Sequence, residues 1–151
     1  MLSLEVITPE KTLVKEEVDM VEARGAYGEF GILPGHTQFL TNLEIGEIRY
    51  MKDGVTTHLS VGGGFAEVVE DKVVFLLDVA EFAVDIDVER ARKAMERAES
   101  VLKTLSNEDN EYRIQEMALL RAIARISVAS KHLGCYFLLT KGYFAFFLPL
   151  K

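Results

Sequence analysis

The stretch Gly28-Glu29-Phe30-Gly31-Ile32-Leu33-Pro34-Gly35-His36-Thr37 decides the fold. Three glycines and a proline fall within eight positions, between flanks that alternate apolar and polar residues as half-buried strands do. Pro34 fixes its own φ and pushes Leu33 toward an extended backbone. Gly28, Gly31 and Gly35 take positive φ without steric cost. The spacing predicts an ordered, tightly turned corner of an all-β domain, displaying one acid, Glu29, and one imidazole, His36.

Working outward, residues 1–84 read as β throughout. Leu2, Leu4 and Val6 alternate with polar residues, and Val18 and Met20 continue that period. Asp53-Gly54 is a two-residue hairpin signal between Ile48-Tyr50 and the alternating Val55, Thr57, Leu59 and Val61. Gly62-Gly63-Gly64 predicts a bend, and Val73-Val74-Phe75-Leu76-Leu77 has the length of a buried strand. Short strands with frequent glycine turns predict a sandwich or flattened barrel. No glycine cluster is followed by the Lys-Ser/Thr of a phosphate loop.

Near residue 87 the period changes. Val88, Ala91, Met95, Ala98, Leu102 and Leu105 form a 3-4-3-4-3 seam of one helix. Asp85 or Asp87 can cap its start. Ser106-Asn107-Glu108-Asp109-Asn110 is a short polar turn, and a second helix is predicted from about Glu111 to His132, with Gly134 as terminator. So short a connection makes the helices antiparallel neighbours. The fold class is therefore an all-β sandwich followed by an antiparallel two-helix hairpin: residues 1–84, then residues 85–134, then an apolar, aromatic tail at 135–151. An alanine-rich seam buries little area, so the hairpin is expected to be weakly held and mobile on a rigid sandwich.

Composition excludes several classes. The chain of 151 residues has a formal net charge of −7, which argues against a nucleic-acid partner. The charge is uneven: 15 acids against 6 bases in residues 1–84, and 9 of each in residues 85–134. A single cysteine, Cys135, rules out an internal disulfide framework and fits a reducing compartment. Met1-Leu2-Ser3-Leu4-Glu5 has no signal-peptide pattern. His36, His58 and His132 lack metal-ligand spacing with one another or with Cys135, and no serine sits in a nucleophile elbow. The tail holds six of the fourteen Phe and Tyr residues, and Lys141-Gly142 interrupts it too early for a membrane span.

One constellation is suited to binding. Arg121 and Arg125 lie four apart on the second helix and are the only charges between Met117 and Ala129. Folded against Arg90 of the first helix, they present guanidinium forks to a polyphosphate. Pairing with Glu89, Glu96, Glu99 or Glu116, or plain solvation, is the competing reading.

Gly28-Glu29-Phe30-Gly31-Ile32-Leu33-Pro34-Gly35-His36, Gly63-Gly64-Phe65-Ala66-Glu67-Val68 and the helical hairpin together closely resemble the ε subunit of bacterial F-type ATP synthase, over about residues 2–134. The resemblance implies a non-catalytic rotor subunit of a proton-translocating synthase, on the cytoplasmic face of the bacterial plasma membrane and without a membrane span of its own. The implied partners are the γ subunit, the c-ring and the catalytic α/β hexamer, with Glu29 facing the ring and His36 the γ shaft. The hairpin is implied to block ATP hydrolysis when extended and to permit rotation when compact. No cofactor is implied as required. Some members bind ATP as a regulatory ligand through an Ile/Leu-Asp-x-x-Arg-Ala motif, matched here by Ile86-Asp87-Val88-Glu89-Arg90-Ala91. Glu81, Arg121 and Arg125 also match positions used there. The alternative is a stand-alone nucleotide-binding sensor or interaction module outside the synthase.

Overall fold

A computed structural model of the chain describes residues 1–140, with side chains through His132. Eight strands come first: Leu2–Ile7 (β1), Thr12–Val18 (β2), Met20–Gly25 (β3), Gly28–Ile32 (β4), Phe39–Lys52 (β5), Val55–Val69 (β6), Lys72–Leu77 (β7) and Ala80–Phe82 (β8). A single 3-10 turn, Ala83–Asp85, leads to the helices Val88–Leu102 (α1) and Asn110–Thr140 (α2).

The strands run in the order β2-β1-β7-β6-β5-β3-β4, with β8 added to β6. Strands β1 and β7 are parallel; the other pairs are antiparallel. The long strands β5 and β6 form the spine, joined by a turn in which Asp53 (φ 51°) and Gly54 (φ 77°) both take positive φ, as a two-residue hairpin requires. Each long strand serves two layers. The Gly64–Val69 part of β6 pairs with β7, and its Leu59–Val61 part pairs with β8. Strand β3 follows the Ile48–Met51 part of β5, then shifts register to meet Leu43. Both spine strands change partners around Leu43–Glu47 and Gly62–Gly64, so the triple glycine is the predicted bend, carried within a continuous strand. The layers also meet where Tyr50 on β5 donates its hydroxyl to Glu16 on β2 (3.0 Å) and Lys52 donates to the same carboxylate (2.8 Å).

The core lies between the layers. Leu2, Leu4, Val6, Val18, Val21, Ile32, Ile48, Leu59, Val68, Val73 and Phe75 are all fully buried, their alternation set by the period of two along each strand. Two readings of the sequence are corrected here. Gly28–Ile32 is strand β4, paired with β3, and the tight turn is confined to Leu33–His36, where the His36 amide donates to the Leu33 carbonyl (3.1 Å). Gly28 and Gly35 have positive φ, whereas Gly31 is ordinary strand. In β7 only alternate residues are buried, and Leu76 faces outward, 52% exposed. An unbroken apolar run carries no face information, so its outer half reads as core in the sequence.

Helix α1 is capped by Asp87, whose carboxylate accepts from the Arg90 amide (3.0 Å). Asp85 instead ends the 3-10 turn. Ala91 and Ala98 bury the seam of α1, and Ala122 is buried on α2. Asp109 accepts from the Ser106 amide (2.9 Å), which tightens the turn between helices. Gly134 does not end α2, which continues to Thr140. Within a helix, glycine costs only about 1 kcal/mol relative to alanine, so it permits termination without enforcing it. Residues 141–151 of the tail lie outside the described residues.

Candidate functional site

Helix α2 lies across the outer face of the spine strands, in contact with β5, β6 and the 3-10 turn. The apolar part of this seam is small: Ala83, Ile86, Val128 and Ala129 are buried together, with Val88 packed against them. The remainder is polar. Arg125 on α2 forks onto Glu81 of β8, Nε to Oε2 at 2.9 Å and Nη2 to Oε1 at 3.4 Å. Lys131 on α2 donates to Glu47 of β5, and the same carboxylate meets Nδ1 of His58 on β6 at 2.5 Å. Arg49 of β5 pairs with Glu22 of β3 on the uncovered part of this face, and Arg24 pairs with Glu44 (3.3 Å).

Burial pushes the Glu47 carboxyl up, but the hydrogen bonds from Lys131 and His58 outweigh it and hold the group below its ordinary value. The hydrogen bond from Arg49 likewise lowers Glu22, against a smaller effect of burial. The hydrogen bond from Lys52 lowers Glu16, and Tyr50 is pushed up to about 12, first by burial and then by its bond to Glu16.

The residues singled out for polyphosphate binding divide into three groups. Glu81 and Arg125 are joined directly. Ile86 is buried just ahead of α1 and Ala91 within it, and Asp87 is engaged as the α1 cap. Arg121 is half-buried over β6, close enough that a Cβ on Gly62 would lie 3.8 Å from its Cδ. Arg90 is exposed. Neither Arg90 nor Arg121 forms an ion pair among the described residues, and Arg125 pairs with none of the helical acids named as its competing partners. Glu89 is instead paired with Arg92 (3.3 Å).

The two displayed groups of the glycine-rich stretch are separated. Glu29 lies exposed on β4 opposite Arg24, beside the β3–β4 turn. His36 lies past the other end of β4, its ring edge-on to Phe39 (5.9 Å), which is edge-on to Phe30 (5.1 Å). The Gly35 amide donates to Asp71 in the β6–β7 turn (2.6 Å), which braces the His36 side of the motif.

Two further features escape the sequence reading. A cavity of about 500 Å³ opens between α2 and strands β3–β5, lined by Glu22, Arg24, Glu29, Phe30, Leu120 and Ile123 among others. On the outside of the β1-β7-β6-β5 layer, Leu76 and Phe65 are directly paired and both about half exposed, with Leu40 nearby on β5 at 71% exposure. Ile7 flanks Leu76 across the parallel pair. The unbroken apolar run of β7 gives no signal for this stripe, because it does not say which of its residues face outward. No group of acids, histidines and cysteines among the described residues could hold a metal, and no described helix is long and apolar enough to cross a membrane.

These features define a two-part protein: a β-sandwich with an exposed apolar stripe, and a helical hairpin resting on a charged sheet face. Residues 1–83 match the family model "ATP synthase, Delta/Epsilon chain, beta-sandwich domain", and residues 85–130 match "ATP synthase, Delta/Epsilon chain, long alpha-helix domain". The chain belongs to the ATP synthase delta/epsilon chain family. It is 52% identical over 130 residues to the ATP synthase epsilon chain of Geotalea daltonii, covering 86% of this chain and 94% of that one. To the epsilon chain of Geotalea uraniireducens it is 53% identical over the same coverage. A chain in the Euglena gracilis mitochondrial ATP synthase structure (OSCP/F1/c-ring) shares the fold at a TM-score of 0.66 and 23% identity, covering 89% of this chain and 81% of that one.

Proposed function

We propose that this chain is a non-catalytic central-stalk subunit of a bacterial F-type ATP synthase. It couples the γ shaft to the c-ring through its sandwich and restrains ATP hydrolysis through its hairpin. The observation that carries the regulatory half is the character of the seam. A sheet face that stays covered is built of Val, Ile and Leu, whereas the face beneath and beside α2 presents Glu22, Arg24, Glu47, Arg49, His58 and Glu81. Such a face is soluble when uncovered, so the hairpin can leave it. The exposed Leu40, Phe65 and Leu76 supply an apolar docking surface for the shaft, and Glu29 and His36 are assigned to the ring and shaft sides respectively. The subunit is peripheral, on the cytoplasmic face of the plasma membrane. Family membership disfavours the stand-alone sensor.

The hairpin is also proposed to sense ATP through Glu81, Ile86, Asp87, Arg90, Ala91, Arg121 and Arg125. The donor set fits a polyphosphate: Arg121 and Arg125 share a helix face, and the α1 N-terminus with its cap lies at the same seam. Glu81 now occupies the Arg125 fork, so phosphate must displace a carboxylate there. ATP bound only to the compact form stabilises it by about 1.4 kcal/mol at ten times its dissociation constant, a roughly tenfold shift in population. Calorimetric titration of the isolated chain is expected to show weak, hydrolysis-free binding that Arg121→Ala plus Arg125→Ala removes. No heat at millimolar ATP contradicts the sensor. For the regulatory role, deletion of residues 85–151 is expected to raise ATP hydrolysis by the assembled complex while proton coupling persists. Unchanged hydrolysis contradicts it.

A further inference from the structure

The Glu47 carboxylate is shared by two nitrogen groups from different parts of the chain: the Lys131 ammonium of α2 and the His58 imidazole of β6. Only the first interaction breaks when the hairpin leaves, because Glu47 and His58 both belong to the sandwich. We propose that docking of the hairpin is linked to protonation of His58, so that acidification weakens its hold on the sandwich. This rests on the reading above that the hairpin undocks.

The sign follows from competition for one site. A neutral imidazole leaves the charge of Glu47 to Lys131. A protonated imidazole neutralises Glu47 locally and adds a cation facing Lys131, so the docked state loses attraction and gains repulsion. Linkage makes the effect reciprocal: a docked Lys131 opposes protonation of His58 as much as protonation opposes docking. Histidine is the side chain whose charge ordinarily changes between about pH 5 and 8.

The surrounding charges do not reverse this sign: Arg121 of α2, over Gly62 of β6, is a further cation that leaves with the hairpin and so acts in the same direction as Lys131. Arg49, directly across from His58 on β5, is already paired with Glu22 of β3. Glu81 on β8, opposite Ser60 on β6, is already paired with Arg125 of α2. His132 also lies on α2, half-buried beside Lys131 in sequence, and serves as the control imidazole. Protonation of Glu47 itself also releases Lys131, but below its ordinary value of 4.5, outside the histidine range.

The test uses the full-length chain with Cys135→Ser, carrying dyes at Lys11→Cys and Asn107→Cys to report the distance from sandwich to hairpin tip. The docked-to-undocked ratio is expected to fall about threefold from pH 8 to pH 6, and to be flat over that range in His58→Gln, which keeps a hydrogen-bond donor for Glu47. His132→Gln is expected to retain the transition. In Lys131→Ala, the His58 ring titration followed by NMR is expected to move to higher pH. A transition that survives His58→Gln, or a His58 titration unmoved by Lys131→Ala, overturns the proposal and leaves the regulatory reading standing. A hairpin that never leaves the sandwich at any pH or ATP concentration overturns both.

Discussion

The interior of the sandwich and the seam beneath α2 are both interfaces between layers of secondary structure, yet they are built from different materials. Between the sheets lie Leu2, Leu4, Ile32, Ile48, Leu59 and Phe75, all fully buried. At the seam of the hairpin, Val128 and Ala129 of α2 are buried with Ala83 and Ile86, flanked by Glu81–Arg125 and Glu47–Lys131. A fully buried large side chain contributes about 1.5–3 kcal/mol by removing apolar area from water. Alanine contributes little, and partly exposed ion pairs contribute about 0–1 kcal/mol. The first interface is therefore expected to be much the stronger of the two. The proposed roles, torque transmission by the sandwich and regulation by a moving hairpin, need this difference.

Perturbations should separate the two regions by size. Phe75→Ala removes the largest fully buried side chain among the described residues and is expected to cost about 3–5 kcal/mol in denaturant unfolding. A cost under about 1 kcal/mol would mean that the sandwich core is not tightly packed. Gly64→Ala comes next. Gly64 has φ 144°, and a Cβ there would overlap the Leu76 carbonyl and lie 2.9 Å from the Leu77 Cα. Strain and overpacking together are expected to cost about 2–4 kcal/mol; a neutral substitution would show that the spine bend is soft.

In the seam the effects should be small and local. Arg125→Ala is expected to leave the global unfolding free energy within about 0.5 kcal/mol of the parent. It should nevertheless increase proteolysis between β8 and α1, because one of two charged tethers is gone. A global loss matching that of Phe75→Ala would show that hairpin and sandwich form one cooperative unit.

The smallest expected effect is that of acid on the remaining tether. The docked Glu47 carboxyl is held below its ordinary value, so its contribution to docking is present above pH 4.5 and disappears as the pH falls through the depressed value. In His58→Gln the dye pair is therefore expected to report a docked hairpin still at about pH 5 and release only in stronger acid. Release already complete at that pH would remove Glu47 as the anchor.

Local patterns in the sequence identify most elements. Alternation locates the strands, Asp53-Gly54 fixes the β5–β6 turn, and Asp87 ahead of a 3-4 seam marks the start of α1. The glycine-rich motif is legible as ordered structure, although half of it is strand. Glu29 and His36 read as one corner because they are close in sequence, whereas β4 holds them apart. What escapes is long-range. Lys131 and Glu47 are 84 residues apart, and Arg125 and Glu81 are 44 apart. Helical periodicity suggests local partners for an arginine, but strand order decides which acid it meets. The apolar run of β7 hides its exposed face for a related reason: a strand in such a run has no period from which to read a side. Gly134 misleads because glycine permits a helix end only where the following residues can leave the helix.

Native-state hydrogen exchange on the full-length chain measures the difference between the two interfaces most directly. The account predicts that amides of α2 from Ala122 to Ala129 exchange through an opening that leaves β6 and β7 intact. Their protection should be at least about 100-fold below that of Val73 and Phe75, a gap of about 2.7 kcal/mol. Equal protection in α2 and β7, with a shared dependence on denaturant, would show that hairpin and sandwich open together and would contradict the account.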